Sequence, residues 1–237
     1  MSKKNPQYEL IQKKGILDKL KISNQELSHL GIAWFIFILA FVPQVALRGF
    51  NFTTDSQGAL LNASIIAFAL GFAFMLHEMG HKFAAQYFHA KAEFKLDPRG
   101  LLISAISIAL GFYLLAPGAV FWESNLSKYS DIRGRVSASG PIVNLHLACL
   151  SIGLFIFKGA PLGTIEWVLY NFGFISLYLN VYLGIFNMIP VWILDGKKIY
   201  EWSEIVWLCY LVMFFVPILA IKVVDPTFRF NFFIFSI

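Results

Sequence analysis

The sequence predicts an α-helical polytopic membrane protein: about five transmembrane helices plus a re-entrant element with possible short β-strands. Three observations carry this. Apolar residues make up 58% of the 237-residue chain and charged residues 14%, against roughly a quarter charged in an ordinary soluble domain. Several apolar runs reach the length that crosses a hydrocarbon core. The basic residues fall between those runs, where membrane topology places them.

Residues 1–29 form a basic, lysine-rich segment expected on the cytosolic side. Leu10, Ile11, Leu17, Leu20 and Ile22 recur at rough helical spacing, which suits either an interfacial helix or a solvated tail. No early apolar stretch leads to a small-residue cleavage site, so no removable signal peptide is expected. A membrane-embedded domain is expected over 30–225, and 226–237 reads as a short tail. Its first span runs from about Leu30 to Leu47, before a polar loop over 51–56. The second reads apolar from Ala59 through Leu76 and then enters His77-Glu78-Met79-Gly80-His81. A charged connector follows (Lys82, Lys91, Glu93, Lys95, Asp97, Arg99), and within it residues 92–96 alternate in polarity as a short strand would. After the apolar stretch Leu101–Trp122 and a polar linker over 123–135 come spans at about Val136–Phe157, Ile165–Pro190 and Ile205–Val224.

Leu101–Trp122 is long enough to cross but is predicted to re-enter, with Pro117-Gly118 as its break. With that topology every basic residue except Arg48, Lys158, Lys222 and Arg229 lies on the cytosolic side. A crossing would also put Asp195 on the opposite face of the membrane from His77 and His81. The net charge of +5 does not point to nucleic acid, because a nucleic-acid reader gathers its basic residues on one soluble face. Cys149 and Cys209 both lie in apolar runs and read as small core residues. Trp122, Trp167, Trp192 and Trp202 flank apolar runs and suit an aromatic belt.

The chemistry concentrates at His77-Glu78-Met79-Gly80-His81. Four residues apart on a helix, His77 and His81 project from one face, one turn apart, as two corners of a zinc tetrahedron require. Glu78 is placed to accept a proton from water. Three ionisable groups follow directly on an apolar helix, where a charge at mid-bilayer costs roughly 2.5–3.5 kcal/mol even on the lenient insertion scale. Metal ligation explains why these positions tolerate that cost. A catalytic zinc site needs a third protein ligand, and the candidates on the same side are His89, Asp97, Asp131, His146 and Asp195. Asp195 stands out because Pro190 breaks the preceding span and Gly196 follows the carboxylate. His89, His146 and His29 read as interfacial or helix-contact histidines. A polytopic metal-ion or proton transporter using the same His/Asp cluster is the alternative, though it would not need Glu78 between the two histidines.

The intramembrane His-Glu-x-x-His, the run Asn187-x-x-Pro190-x-x-x-x-Asp195-Gly196 and Gly140-Pro141-Ile142-Val143-Asn144 occur in one order over roughly residues 59–200. Together they resemble the site-2 protease family of intramembrane zinc metalloproteases. The resemblance implies one Zn2+ held by His77, His81 and Asp195, with Glu78 as general base and proton shuttle. Asn144 and Asn187 would contact the substrate backbone or the oxyanion. It also implies regulated intramembrane proteolysis, a transmembrane protein as substrate, and the lipid bilayer as surroundings. A prokaryotic cell membrane, with N-terminus and active-site opening cytosolic, fits the small chain. The edge of strand 92–96 is expected to pair with an unwound substrate.

Overall fold

The computed structural model describes residues 22–48, 56–109, 117–123, 130–191 and 193–226. The basic segment 1–21, the polar stretch 51–55, Trp192 and the tail beyond residue 226 lie outside the described residues. The elements in chain order are α1 (Asn24–Arg48), α2 (Ser56–Tyr87), β1 (Lys91–Leu96), α3 (Pro98–Ala109), β2 (Gly118–Glu123) and α4 (Ser130–Ile152). A 3-10 turn (Gly153–Phe157) then leads to α5 (Ile165–Asn187), α6 (Asp195–Trp202), α7 (Glu204–Met213) and α8 (Phe215–Val224).

Four helical stretches among the described residues are long and apolar enough to cross a membrane: Leu60–Tyr87, Asp131–Phe157, Ile165–Asn187 and Glu204–Val224. Helix α1, 25 residues long, matches the first span that the sequence predicts. The distribution of polarity agrees with a bilayer. Leu150, Ile156, Ile205 and Val223 point outward, at 73%, 76%, 76% and 83% exposure, whereas Asn144, Asn171, Asn180 and Ser176 are buried in the bundle. Such an outer surface is solvated by lipid and not by water, and the buried amides must then find partners inside. The chain is an integral membrane protein.

Helix α2 continues without interruption from the apolar span through His81 to Tyr87, so both histidines ride on one rigid rod. Two other helices begin earlier than hydropathy suggests. Helix α1 starts at Asn24, with the Ser23 hydroxyl accepting from the Glu26 N–H at 3.1 Å, and α4 starts at Ser130, taking in the last part of the expected linker, 130–135. Polar first turns carry no apolar signal, and Ser23 with Glu26 three residues on has the pattern of a capping box. The last span is two helices meeting at Phe214. Pro217 offers no N–H to the carbonyl four residues earlier, which explains the joint. Cys149 and Cys209 are free and exposed, on the outer surface of the bundle rather than in its core.

The stretch Leu101–Trp122 re-enters. Strands β1 and β2 pair antiparallel, with Leu96 opposite Gly118 and Lys91 opposite Glu123. The chain therefore returns beside the point where it left, and Asp97 N–H bonds the Pro117 carbonyl at 3.0 Å to close the excursion. Helix α3, with 12 residues, reaches about 18 Å and is too short to span.

Phe94 and Val120 face each other across the ladder, and their N–H groups point outward on opposite edges, as in a non-hydrogen-bonded antiparallel pair. Each outward N–H meets a carboxylate: Phe94 N–H donates to Glu26 Oε1 at 2.9 Å and Val120 N–H to Glu78 Oε2 at 3.2 Å. On the first edge Glu26 is also paired with Lys82. Glu26 and Lys82 are fully buried, so Lys82 is no part of a solvated connector. One carboxylate thus ties α1 to α2 and to the sheet. Glu26→Ala leaves a buried ammonium and a strand N–H without partners and should cost about 3–5 kcal/mol. Glu26→Met with Lys82→Met should recover most of that loss, as read by denaturant titration of the detergent-solubilised protein. Equal stability of Glu26→Ala and wild type would remove this role.

Candidate metal centre

Three ligand-type atoms converge where α2, α4 and the start of α6 meet. His77 Nε2 and His81 Nε2 are 3.0 Å apart, and Asp195 Oδ2 lies 3.4 Å from the first and 3.0 Å from the second. Two residues come from adjacent turns of α2. The third arrives by a sharp chain reversal. Helix α5 stops at Asn187, Pro190 prevents its continuation, and turns at 188–191 and at 193–194 precede α6, whose first residue is Asp195. The Met188 carbonyl left over at the helix end accepts from Trp207 Nε1 at 2.6 Å. Gly196 matters for its lack of a side chain: a Cβ there would run into the Met188 carbonyl. Its φ is not positive, so close approach and not backbone conformation sets the requirement for glycine.

The imidazoles are oriented from behind. His81 Nδ1 is 2.8 Å from the Val136 carbonyl, which can only accept, so Nδ1 carries the hydrogen and Nε2 turns a lone pair toward the cluster. His77 Nδ1 is 2.6 Å from Asn144 Oδ1 and is fixed the same way. Asp195 is deeply buried, which alone would raise its pKa. The Lys198 ammonium, 3.6 Å from Oδ1, favours its charged form against that burial. Three acceptors therefore face one another with no donor to spare, and a cation satisfies all three.

The donor set fits zinc. Metal–ligand lengths of about 2.0–2.1 Å in a tetrahedron imply ligand–ligand edges of about 3.3 Å, and the observed edges are 3.0, 3.0 and 3.4 Å. The arrangement supplies three protein ligands, as a catalytic site does, and it is the only such group among the described residues. Helix α4 packs against it so closely that a Cβ on Gly140 would press on His81 Nε2 and His77 Cε1. Of the other candidate ligands, His89 sits at the end of α2 with φ +59° and lines a separate groove. His146 is exposed and bonds its own helix at the Ile142 carbonyl. Neither these nor Asp97 and Asp131 join the cluster.

A cavity of about 140 Å³ opens on the cluster, lined by His77, Glu78, His81, Asp195, Val120 and Asn187 among others. That is room for several waters and a length of extended backbone, and too little for a helix. Glu78 forms part of the wall, and half-exposed Lys198 marks the mouth, its Nζ also donating to the Ile193 carbonyl at 3.1 Å.

Two expectations need correction. Asn144 does not face the cavity: it is fully buried behind His77, and its Nδ2 donates to the Ala73 carbonyl at 3.2 Å and to Asn180 Oδ1 at 2.8 Å. Asn187 does line the cavity, with its Nδ2 bonded to the Leu183 carbonyl. Strand β1 does not offer its edge at Phe94, which is buried with its N–H held by Glu26. The strand bordering the cavity is β2, through Gly118, Ala119, Val120 and Trp122. Trp122 therefore belongs to the site, and Trp202 carries the Arg135 guanidinium over its ring at 5.6 Å, so neither serves simply as a belt. Sequence reading missed β2 and Asn180. The strand hid inside a long apolar run, and an intramembrane Asn by itself reads as helix–helix glue.

The chain is 32% identical over 154 residues to the Methanocaldococcus jannaschii protein named "Putative zinc metalloprotease MJ0611", a match covering 62% of this chain and 76% of that one. It is 29% identical over 137 residues to "Putative zinc metalloprotease Rip2" of Mycobacterium tuberculosis, covering 53% of this chain and about half (52%) of that relative. No family model matches the chain, and no solved structure matches it.

Proposed function

The chain belongs to the zinc metalloprotease family of its archaeal relative, and from that premise we propose that it is an intramembrane endopeptidase of the site-2 protease type, cleaving transmembrane segments of membrane proteins. The observation that carries this is the three-acceptor cluster of His77, His81 and Asp195, closed on membrane-spanning helices with Glu78 in the same cavity wall. His77, His81 and Asp195 hold Zn2+. Bound there, zinc supplies Lewis-acid polarisation of water and of the scissile carbonyl.

The chain's own groups do the rest. Glu78 takes the proton of the attacking water and later delivers it to the leaving amine. Val120 N–H, bonded to Glu78 Oε2, keeps that carboxylate aimed into the cavity. Asn187, on the same wall, is placed for the substrate backbone or the oxyanion. A substrate helix must unwind to fit the cavity, and the outward backbone groups of β2 at Gly118 and Trp122, with the Val120 carbonyl, can replace its lost hydrogen bonds by strand addition. Water enters past Lys198 from the side that carries most of the basic residues, which we assign to the cytosol of a prokaryotic cell.

The test is zinc analysis of the purified protein with a cleavage assay on a model single-span substrate. One zinc per chain, with cleavage stopped by a chelator and restored by zinc, is expected. Zinc flux into vesicles without any cleavage would overturn the reading in favour of a transporter.

A further inference from the structure

We propose that Asn180, on α5 and remote from the cavity, is a positioning residue for the metal centre: it fixes the Asn144 amide and, through it, the ring and tautomer of His77. This rests on the zinc-site reading above. The direction of every hydrogen bond in the relay follows from two backbone carbonyls, which can only accept. The Asn180 atom 2.8 Å from the Ser176 carbonyl must be Nδ2, so Oδ1 is the Asn180 atom turned to Asn144. The Asn144 atom 3.2 Å from the Ala73 carbonyl must likewise be Nδ2, and the same atom donates to Asn180 Oδ1 at 2.8 Å. Asn144 is left with Oδ1 toward His77, 2.6 Å from Nδ1. Nδ1 then carries the hydrogen, and the Nε2 lone pair points at Asp195 and His81.

Without Asn180 the relay loses its sense. Asn144 Nδ2 keeps only the longer bond to Ala73, and an amide rotated by half a turn would present Nδ2 to His77. That would place the imidazole hydrogen on Nε2, where it blocks ligation. All members of the relay are buried: Asn144 at 0%, Asn180 at 1%, His77 at 4% and Ser176 at 5% exposure. Water therefore has little access to restore the pattern. Partners behind a metal-binding histidine typically contribute 10–100-fold to metal affinity. Asn180 stands one partner further back but sets the orientation on which that contribution depends.

The experiment is competition between detergent-solubilised protein and a chromogenic chelator for Zn2+ alone, with the visible spectrum of the Co2+-loaded protein as a second readout. Asn180→Leu should lower zinc affinity by about 10-fold or more and alter the Co2+ spectrum with helix content unchanged. Asn180→Ser, which is smaller and still polar, should act in the same direction and replaces the leucine variant if that one does not fold. Asn180→Asp, which in this buried site is the neutral acid, donates its O–H to the Ser176 carbonyl and keeps an acceptor opposite Asn144, so it should recover most of the affinity. Ser151→Ala is the control. Its hydroxyl bonds Ser176 Oγ at 2.9 Å on the same buried interface, yet its loss leaves the Ser176 carbonyl in place, so zinc binding should not change. Asn144→Ala combined with Asn180→Leu should bind zinc no more weakly than Asn144→Ala alone. Wild-type affinity in folded Asn180→Leu or Asn180→Ser, or an additive double variant, would overturn the proposal. A wild-type protein that binds no zinc would instead overturn the site reading beneath it.

Discussion

Glu78→Gln keeps its zinc and its fold and loses cleavage by about 10²–10⁴-fold, the range a positioned general base supplies. The substitution conserves size and shape. The glutamine carbonyl oxygen can still accept from Val120 N–H, the bond that holds β2 against α2 at 3.2 Å. The three converging acceptors of His77, His81 and Asp195 do not involve residue 78, so metal content should match wild type. What disappears is the capacity to take a proton, since an amide has no basic lone pair near neutral pH. Glu78→Ala makes a useful comparison, because it also releases the β2 edge and should add a loss of substrate binding. The measurement is the initial rate on a single-span substrate in proteoliposomes, beside zinc stoichiometry on the same samples. Native-rate cleavage by Glu78→Gln would end the proteolytic reading.

Much of this architecture is legible in the sequence, for physical reasons that differ by element. Helices α2 and α5 show plainly because burial in lipid demands long apolar runs, and Pro190 marks where α5 stops. Strand β1 shows through its alternation. Strand β2 does not, since Gly-Ala-Val-Phe-Trp is as apolar as the helix before it, and only pairing with Lys91–Leu96 makes it extended. The histidine pair follows from spacing, because two imidazoles one turn apart need no tertiary knowledge, whereas the residues alone leave Asp195 one of five candidate third ligands, marked by Pro190 and Gly196 and assigned by the family resemblance. Asn144 shows the limit. Its motif flags the residue, but whether it faces the cavity or the back of His77 depends on the rotation of α4 against α2, which motif spacing does not specify. The Glu26–Lys82 tie, 56 residues apart in the chain, is equally a product of packing.

Asp195→Ala should cost more zinc affinity than the roughly 10–100-fold typical of losing a partner behind a ligand, and cleavage should vanish with the metal. Two arguments set the size. The substitution removes one of three ligands, leaving the imidazole pair 3.0 Å apart as the whole protein contribution. It also removes the anion that balances the Lys198 ammonium, now 3.6 Å from the carboxylate, so a cation entering the site meets a neighbouring positive charge with less to offset it. Asp195→Asn should fall between: it keeps an oxygen at the right place and loses the charge. The fold should survive both changes, because Asp195 opens α6 without a side-chain cap bond and α6 is held by buried Ile199 and by the close contact of Gly196 with Met188. Since a ligand that binds only the folded state adds about 2.7 kcal/mol at a hundred times its Kd, zinc should raise the melting temperature of wild type and not that of Asp195→Ala. Zinc-dependent stabilisation of equal size in both proteins would mean that the third ligand is another residue, and the convergence at Oδ2 would then be an ion pair and not a metal site.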